Sequence, residues 1–137
     1  MLLLNKELWD SDKILKCKSS DNWDAPDTQV MLDCVLLEVT ELLKNNTDRR
    51  AIFIIDCNHG KLPSPFYFAK IFAYLKTIRP LLTDKLDFSI IYTKKPEDEN
   101  IIDLILKMYT PARPIHKASS KDMIKTLVST REKTRLS

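Results

Sequence analysis

The sequence is almost devoid of glycine: Gly60 is the only one in 137 residues, where an average usage of about 7% would supply roughly nine or ten. Walker-type phosphate loops, dinucleotide-binding turns and the glycine-rich loops of kinases each need several glycines close together. The deficit therefore excludes these three kinds of nucleotide site. It also excludes collagen-like and glycine-rich linker sequences.

Metal-binding and membrane-spanning patterns are also missing. Cys17, Cys34 and Cys57 are far apart and form no CxxC pair, which is typical of reduced thiols in an intracellular protein. The two histidines form no HxH or HExxH motif, so neither a metal nor another cofactor is expected. No apolar run approaches the ~18 residues of a membrane span, and the apolar start at residues 1–4 is too short for a signal peptide. We therefore expect a cytoplasmic protein without a transmembrane segment.

The net charge is only +3, and the excess of basic residues lies at the carboxyl end. Residues 114–137 contain six lysines or arginines and two acidic residues. This pattern predicts one domain over residues 1–130 and a basic tail over residues 131–137. The modest total charge disfavours nucleic acid as a partner and leaves an anionic lipid or a nucleotide as a weaker alternative ligand.

Hydrophobic periodicity predicts an α/β fold with the element order β-β-α-β-α-β-α-β-α. Two short strands joined by a polar turn form an amino-terminal hairpin, and each later strand is followed by a helix. A single, mostly parallel sheet with helices on its faces follows from this alternation. The predicted strands cover residues 2–9, 13–18, 51–55, 87–92 and 113–117, and the four helices cover 26–44, 65–79, 99–108 and 120–128.

The predicted helix at 65–79 is rich in aromatic side chains. Ser64 is placed to cap its first turn, and Phe66 and Phe72 fit its core-facing stripe. The other three aromatic side chains cannot all share that stripe, so aromatic surface is expected to remain for a partner protein or a dimer. These candidate interface residues are Tyr67, Phe68 and Tyr74.

Four features follow one another along the chain: the hairpin, the polar bend at residues 20–23, the long helix and the hydrophobic strand that ends at Asp56. In this order they resemble a STAS domain, the anti-sigma-factor antagonist-like family. That family carries a regulatory serine or threonine at the next helix start. Its Asp-Ser-Ser/Thr-Gly signature is replaced here by Pro-Ser-Pro-Phe-Tyr at 63–67, so the resemblance assigns phosphorylation to Ser64 alone. It implies a non-catalytic regulatory or protein-interaction module whose partner is another protein or a second copy of this chain.

A second resemblance is to the lipid-binding CRAL-TRIO domain. It lies in the sheet core and in the segment Ile-Arg-Pro-Leu-Leu at 78–82. It implies a small lipid-binding domain as an alternative.

Polar residues cluster where the predicted central strand ends, which is where open α/β sheets bind their ligands. We expect an interaction or ligand loop made by Asp56, Cys57, Asn58, His59, Gly60 and Lys61. Complete catalytic templates are missing, because a cysteine phosphatase loop would need an arginine at position 63, which is proline. A Cys57–His59 nucleophile pair is an alternative, because alternation along an extended chain puts both side chains on one side. The plainest alternative is a turn whose polar groups satisfy backbone amides.

A further resemblance, to response-regulator receiver domains, rests on Asp56, Thr93 and Lys117, which match the aspartate, hydroxyl and lysine at successive strand ends of that family. It implies phosphoryl transfer or hydrolysis with Asp56 as phosphoacceptor. His116 lies in a short apolar strand, where a structural role is expected.

Overall fold

The structure, a computed structural model, describes residues 2–20, 23–132 and 136. Met1, two residues of the predicted polar bend (Asp21 and Asn22) and most of the predicted tail lie outside the described residues. The elements are β1 (Leu2–Asn5), α1 (Trp9–Asp12), β2 (Ile14–Ser20), α2 (Thr28–Lys44), β3 (Ala51–His59), α3 (Pro65–Thr77), α4 (Arg79–Lys85), β4 (Leu86–Tyr92), α5 (Pro96–Met108), β5 (Ile115–Ala118) and α6 (Lys121–Ser129).

The described strands form one five-stranded sheet in the order β1-β2-β3-β4-β5. β1 pairs antiparallel with β2, and the other three pairings are parallel. The predicted α/β class and the antiparallel pairing of the first two strands are therefore confirmed, but the first strand ends at Asn5 and not at residue 9.

The prediction of four helices is wrong, because the described chain contains six. The expected hairpin turn is the short helix α1, which ends where Lys13 adopts a left-handed conformation with φ of 53°. The expected helix stop at Pro80 starts a new helix, because proline is tolerated in the first turn. α4 begins there, directly after the last turn of α3.

The two faces of the sheet are covered unequally. Because consecutive parallel strands are neighbours and their crossovers are right-handed, α2 to α5 fall on one face. On that face, α2, α3 and α4 pack over a core that includes Leu15, Leu43 and Leu82. On the other face, α6 is the helix that packs against the core, which there includes Ile52 and Ile90. We call these the helix-layer face and the α6 face.

Several apolar side chains that fit the helical periodicity of α2 and α5 point to solvent. Val30 and Leu37 of α2 are 63% and 58% exposed, whereas Leu32 is buried. On α5, Leu104 and Met108 are exposed, and Ile102 supplies the buried contact. The buried stripes of these helices are therefore narrower than the apolar periodicity predicts. Trp9 and Trp23 are buried.

Candidate functional site

The predicted interaction loop is mostly strand. β3 continues through Asp56, Cys57 and Asn58 to His59, so the expectation that it ends at residue 55 is wrong. Asp56 is in register with Lys18 of β2 and with Tyr92 of β4, and this pairing on both sides holds the polar end extended. The connection to α3 begins at Gly60.

A β-bulge in β3 determines which side chains meet. Lys18 pairs with Asp56, but Ser20 pairs with His59, so β3 carries one extra residue at its end. The bulge brings His59 beside Asp56, with its Nε2 3.0 Å from Oδ2 of Asp56. Cys57 is buried and lines the helix-layer face, while Asp56 lines the α6 face. The Cys57–His59 pair that simple alternation predicts is therefore not formed.

The polar groups of this strand end are engaged with one another. Oδ1 of Asp56 accepts hydrogen bonds from the backbone N–H and the Nδ2 of Asn58, at 2.9 and 3.0 Å. Oδ1 of Asn58 in turn accepts the backbone N–H of Lys94 at 2.6 Å. This chain of bonds ties the end of β3 to the segment that follows β4.

The loop after the strand is held on both sides. Lys95 donates from Nζ to the carbonyl of Gly60 at 2.7 Å, and the Ser19 hydroxyl donates to the carbonyl of Lys61 at 3.1 Å. Gly60 has φ of 155°, in the positive range that glycine adopts more readily than other residues. Trp23 donates from Nε1 to the Ser19 hydroxyl and so fixes its orientation. Gly60, the single glycine, therefore lies in a turn that hydrogen bonds hold on both sides.

The three residues of the receiver resemblance are not brought together. Lys117 forms ion pairs with Glu99 and Asp103 of α5, on the helix-layer face. The hydrogen bond to Asp103 raises the pKa of Lys117, against an opposing desolvation, and the charges of Asp103 and Glu99 raise it further. The Thr93 hydroxyl accepts the backbone N–H of Lys95 at 3.1 Å, and Asp56 lines the opposite face.

Helix α3 presents different aromatic side chains from those expected. Phe66, predicted to face the core, is 61% exposed. Tyr67 lies 5.3 Å from the ring of Trp23, and the hydroxyl of Tyr74 hydrogen-bonds Thr40 of α2. Phe68 is half-buried and lies 5.9 Å from the ring of Phe72. Phe68 and Phe72 therefore face the sheet and Tyr74 faces α2, while Phe66 and the small Ala69 and Ala73 face solvent.

An apolar cavity of about 180 Å³ lies between the sheet and α2, α3 and α5. Its walls include Val35, Phe68, Ile71 and Ile105, and its sheet side includes Phe53 and Ile55. Sequence reasoning missed this cavity. The one available signal was the uninterrupted apolar run of the central strand, which faces α6 on one side and this cavity on the other.

Two thiols lie on the sheet side of the cavity. Cys17 and Cys57 line it from β2 and β3. Burial raises the pKa of each to about 12, and for Cys57 the nearby carboxylates of Asp56 and Asp98 add to the effect. Because the thiolate is the nucleophile, both groups are inert protonated thiols at neutral pH.

Among residues 2–20, 23–132 and 136, no group of three histidine, cysteine or acidic side chains is arranged to hold a metal ion. No helix in this part of the chain is long and apolar enough to cross a membrane. Comparisons with protein-family models, curated proteins and solved structures found no match to the chain. Function is therefore inferred from the cavity, the strand end and the start of α3.

Proposed function

We propose that this protein is a non-catalytic binding domain and that its ligand is a small apolar molecule held in the cavity between the sheet and the helix layer. The observation that carries the proposal is the cavity itself, whose lining is almost entirely apolar side chains. The proposal agrees with the small lipid-binding alternative that the CRAL-TRIO resemblance implies.

The energetic argument starts from the packing of ordinary cores, which contain few voids larger than a water molecule. At about 24 cal/mol per Å³, an empty cavity of 180 Å³ costs about 4 kcal/mol. The total stability of a domain is only about 5–15 kcal/mol. An apolar ligand would remove most of that cost, whereas water gains little in a cavity without hydrogen-bonding partners.

The size of the ligand follows from the same volume. An engineered cavity of about 150 Å³ lined by aliphatic and aromatic side chains admits benzene. The cavity here therefore suits a ligand with about one or two rings, or a short acyl chain. Its wall includes Leu62, Pro63 and Phe68, so the segment before α3 and the aromatic helix itself contact the bound molecule.

The polar groups support a role without catalysis. The thiol of Cys57 is protonated, and both oxygens of Asp56 accept hydrogen bonds from neighbouring side chains or backbone. An activated nucleophile needs an adjacent base held by a third group. In the described chain, Cys57 and His59 lie on opposite faces of the sheet.

Filling the cavity is the direct test. Val35→Phe on α2 adds volume to the cavity wall, and Val30→Phe on the exposed face of the same helix is the matched control. With benzene or indole as the probe, wild type and the control are expected to gain stability, by about 2.7 kcal/mol at a free probe concentration of about one hundred times Kd. Val35→Phe is expected to gain none, while its own stability stays equal or rises. Differential scanning calorimetry gives both quantities.

The opposite result is equally clear. If the cavity is filled by ordinary packing in solution, Val35→Phe overpacks the core and loses about 1–3 kcal/mol. Wild-type protein would then show no stabilisation by either probe, and the proposal would be wrong.

We propose as a second function the regulatory role that the STAS resemblance implies, with a partner protein contacting the start of α3. Ser64 is exposed and caps α3, accepting the backbone N–H of Tyr67, and the neighbouring Phe66 is exposed. Partners co-purified with Ser64→Asp and Ser64→Ala would differ if a charge at this site controls binding. Ser120→Asp, at the equivalent cap of α6, is the control. Identical partners for all three proteins would contradict regulation at Ser64.

Ser64→Ala is expected to lower the free energy of unfolding by about 1 kcal/mol, because the first turn of α3 loses its side-chain cap. Ser64→Asp is expected to stay close to wild type, since aspartate is an equally good cap and its charge is favourable at a helix amino terminus. Urea unfolding measures both changes. Equal losses in the two variants would mean that the hydroxyl does not act as a cap.

A further inference from the structure

The α6 face of the sheet carries a groove that the proposed function does not use. α6 packs over the β3, β4 and β5 side of this face, through Ile124, Leu127 and Val128. Beside it, the surface of β1 and β2 stays open, and a groove of about 510 Å³ runs between these strands and the helix. Its volume lies within the range of about 300–1,000 Å³ that is typical of small-molecule sites.

Two pairs of lysines line opposite walls of this groove. Lys16 and Lys18 project from β2, and Lys121 and Lys125 project from the first turns of α6. Alternate residues of a strand are about 7 Å apart, and residues i and i+4 of a helix are about 6 Å apart. The groove therefore presents four ammonium groups as two pairs of similar spacing.

None of the four lysines has an ion-pair or hydrogen-bond partner within the described residues, and all four are exposed. Surface lysines elsewhere in the same chain are paired, for example Lys117 with Asp103 and Lys6 with Glu38. Four ammonium groups without a partner among the described residues therefore line this one groove.

One carboxylate, Asp56, lies among the groove residues. Its charge opposes an anion, but both of its oxygens already accept hydrogen bonds from Asn58 and His59. Four ammonium groups against one such carboxylate leave the groove strongly positive. Apolar side chains, among them Leu3, Ile54 and Ile124, also line the groove.

We propose that this groove binds a small molecule that carries two or more phosphate groups on an apolar or planar body. Lysine acts on phosphate as a point charge with three rotatable donors, so two lysines on each wall suit two phosphates bridged across the groove. The apolar side chains of the groove suit the part of the ligand that links the phosphates.

The experiment is isothermal titration calorimetry at low ionic strength, with ATP and inositol hexakisphosphate as soluble probes. The double variant Lys18→Gln/Lys125→Gln removes one ammonium from each wall. It is expected to weaken binding at least about tenfold, because each lost bond is charge-assisted. Lys76→Gln/Lys107→Gln makes the same change of net charge with exposed lysines of α3 and α5, and is expected to stay within about twofold.

Asp56→Asn adds an independent arm, because it removes the one opposing charge. It is expected to tighten binding of both probes, whereas a phosphoacceptor at Asp56 would be inactivated by the same change. Weaker binding by Asp56→Asn would overturn the proposal.

Further binding measurements distinguish a soluble phosphate ligand from a lipid headgroup and define the results that would overturn the proposal. Binding only to phosphatidylcholine vesicles that contain phosphatidylinositol bisphosphate, lost in Lys18→Gln/Lys125→Gln, would assign the phosphates to a lipid headgroup and support the site. No binding of any phosphate probe, or equal weakening by both double variants, would overturn it. So would a single-stranded oligonucleotide that binds more tightly than ATP, because that result indicates a macromolecular surface. The cavity-filling test uses the other face, so the two proposals can fail separately.

Discussion

Cys57 is expected to react with iodoacetamide about a thousand times more slowly in the native protein than in the denatured chain. Folding raises its pKa from an ordinary 9.0 to about 12, and each unit of pKa lowers the thiolate fraction about tenfold at a fixed pH. The thiol also lies in the core, only 4% exposed. Mass spectrometry of the labelled peptides gives the two rates, with the exposed Cys34 as the internal control that reacts in both states.

The pH dependence of stability has a definite sign. Because the pKa values of Cys17 and Cys57 are higher in the folded protein than in the unfolded chain, deprotonation favours unfolding. The contribution of these thiols to the free energy of unfolding is fully present below pH 9 and is lost as the pH rises from about 9 toward 12.

The labelling experiment also has a contradicting outcome. If Cys57 is labelled equally fast in native and denatured protein, the end of β3 and the cavity open to solvent, and the buried location of Cys57 is wrong.

The sequence predicts strands correctly where apolar runs are long. The prediction fails where pairing with neighbouring strands holds polar residues in an extended conformation. Residues 51–55 are β-branched or aromatic and are identified as a strand by their composition alone. Asp56 is a poor strand former, yet it extends β3 because β2 and β4 pair with it on both sides, and beyond it His59 still pairs with Ser20 of β2. A bulge at that point cannot be read from composition, and it alone decides that His59 meets Asp56 rather than Cys57.

Helical spacing alone predicts the wrong orientation for Phe66 of α3. Phe66, Ala69 and Ala73 have helical spacing, but a helix that lies over a cavity turns its largest side chains toward the sheet. Phe68 and Phe72 therefore face inward, and Phe72 also stacks on Tyr109, directly after α5, at 4.5 Å. Residue volume, added to periodicity, could have found this orientation.

Neither candidate site is visible as a motif, because each combines elements that are far apart in sequence. In β2, the alternation of Leu15 and Cys17 with Lys16 and Lys18 does predict two chemically different faces. It does not predict that α6 crosses to the lysine face. That placement follows from the chain order of the sheet, in which α2 to α5 already occupy the other face.

Arg131, predicted as the first residue of a basic tail, is a buried anchor for α6. Its guanidinium donates to the carbonyl of Asp12 at the end of α1 and, at 2.7 Å, to the carbonyl of Arg50 just before β3. Arg131→Ala is expected to lower the free energy of unfolding by about 2–4 kcal/mol, because charge-assisted bonds are lost and two carbonyls lose their partner. Arg131→Lys keeps the charge but not the planar fork, and is expected to lie between wild type and alanine.

The control for this anchor is Arg79→Ala. Arg79 is exposed and, among the described residues, donates one hydrogen bond, to the carbonyl of Thr110, so its loss is expected to cost no more than about 1 kcal/mol. Urea unfolding compares the three variants with wild type. If Arg131→Ala matches Arg79→Ala, α6 is held by its apolar side chains alone. If the larger loss is found, Arg131 is part of the domain. The wall that carries Lys121 and Lys125 is then fixed at both ends: by the Ser120 cap at its start and by Arg131 after its last turn.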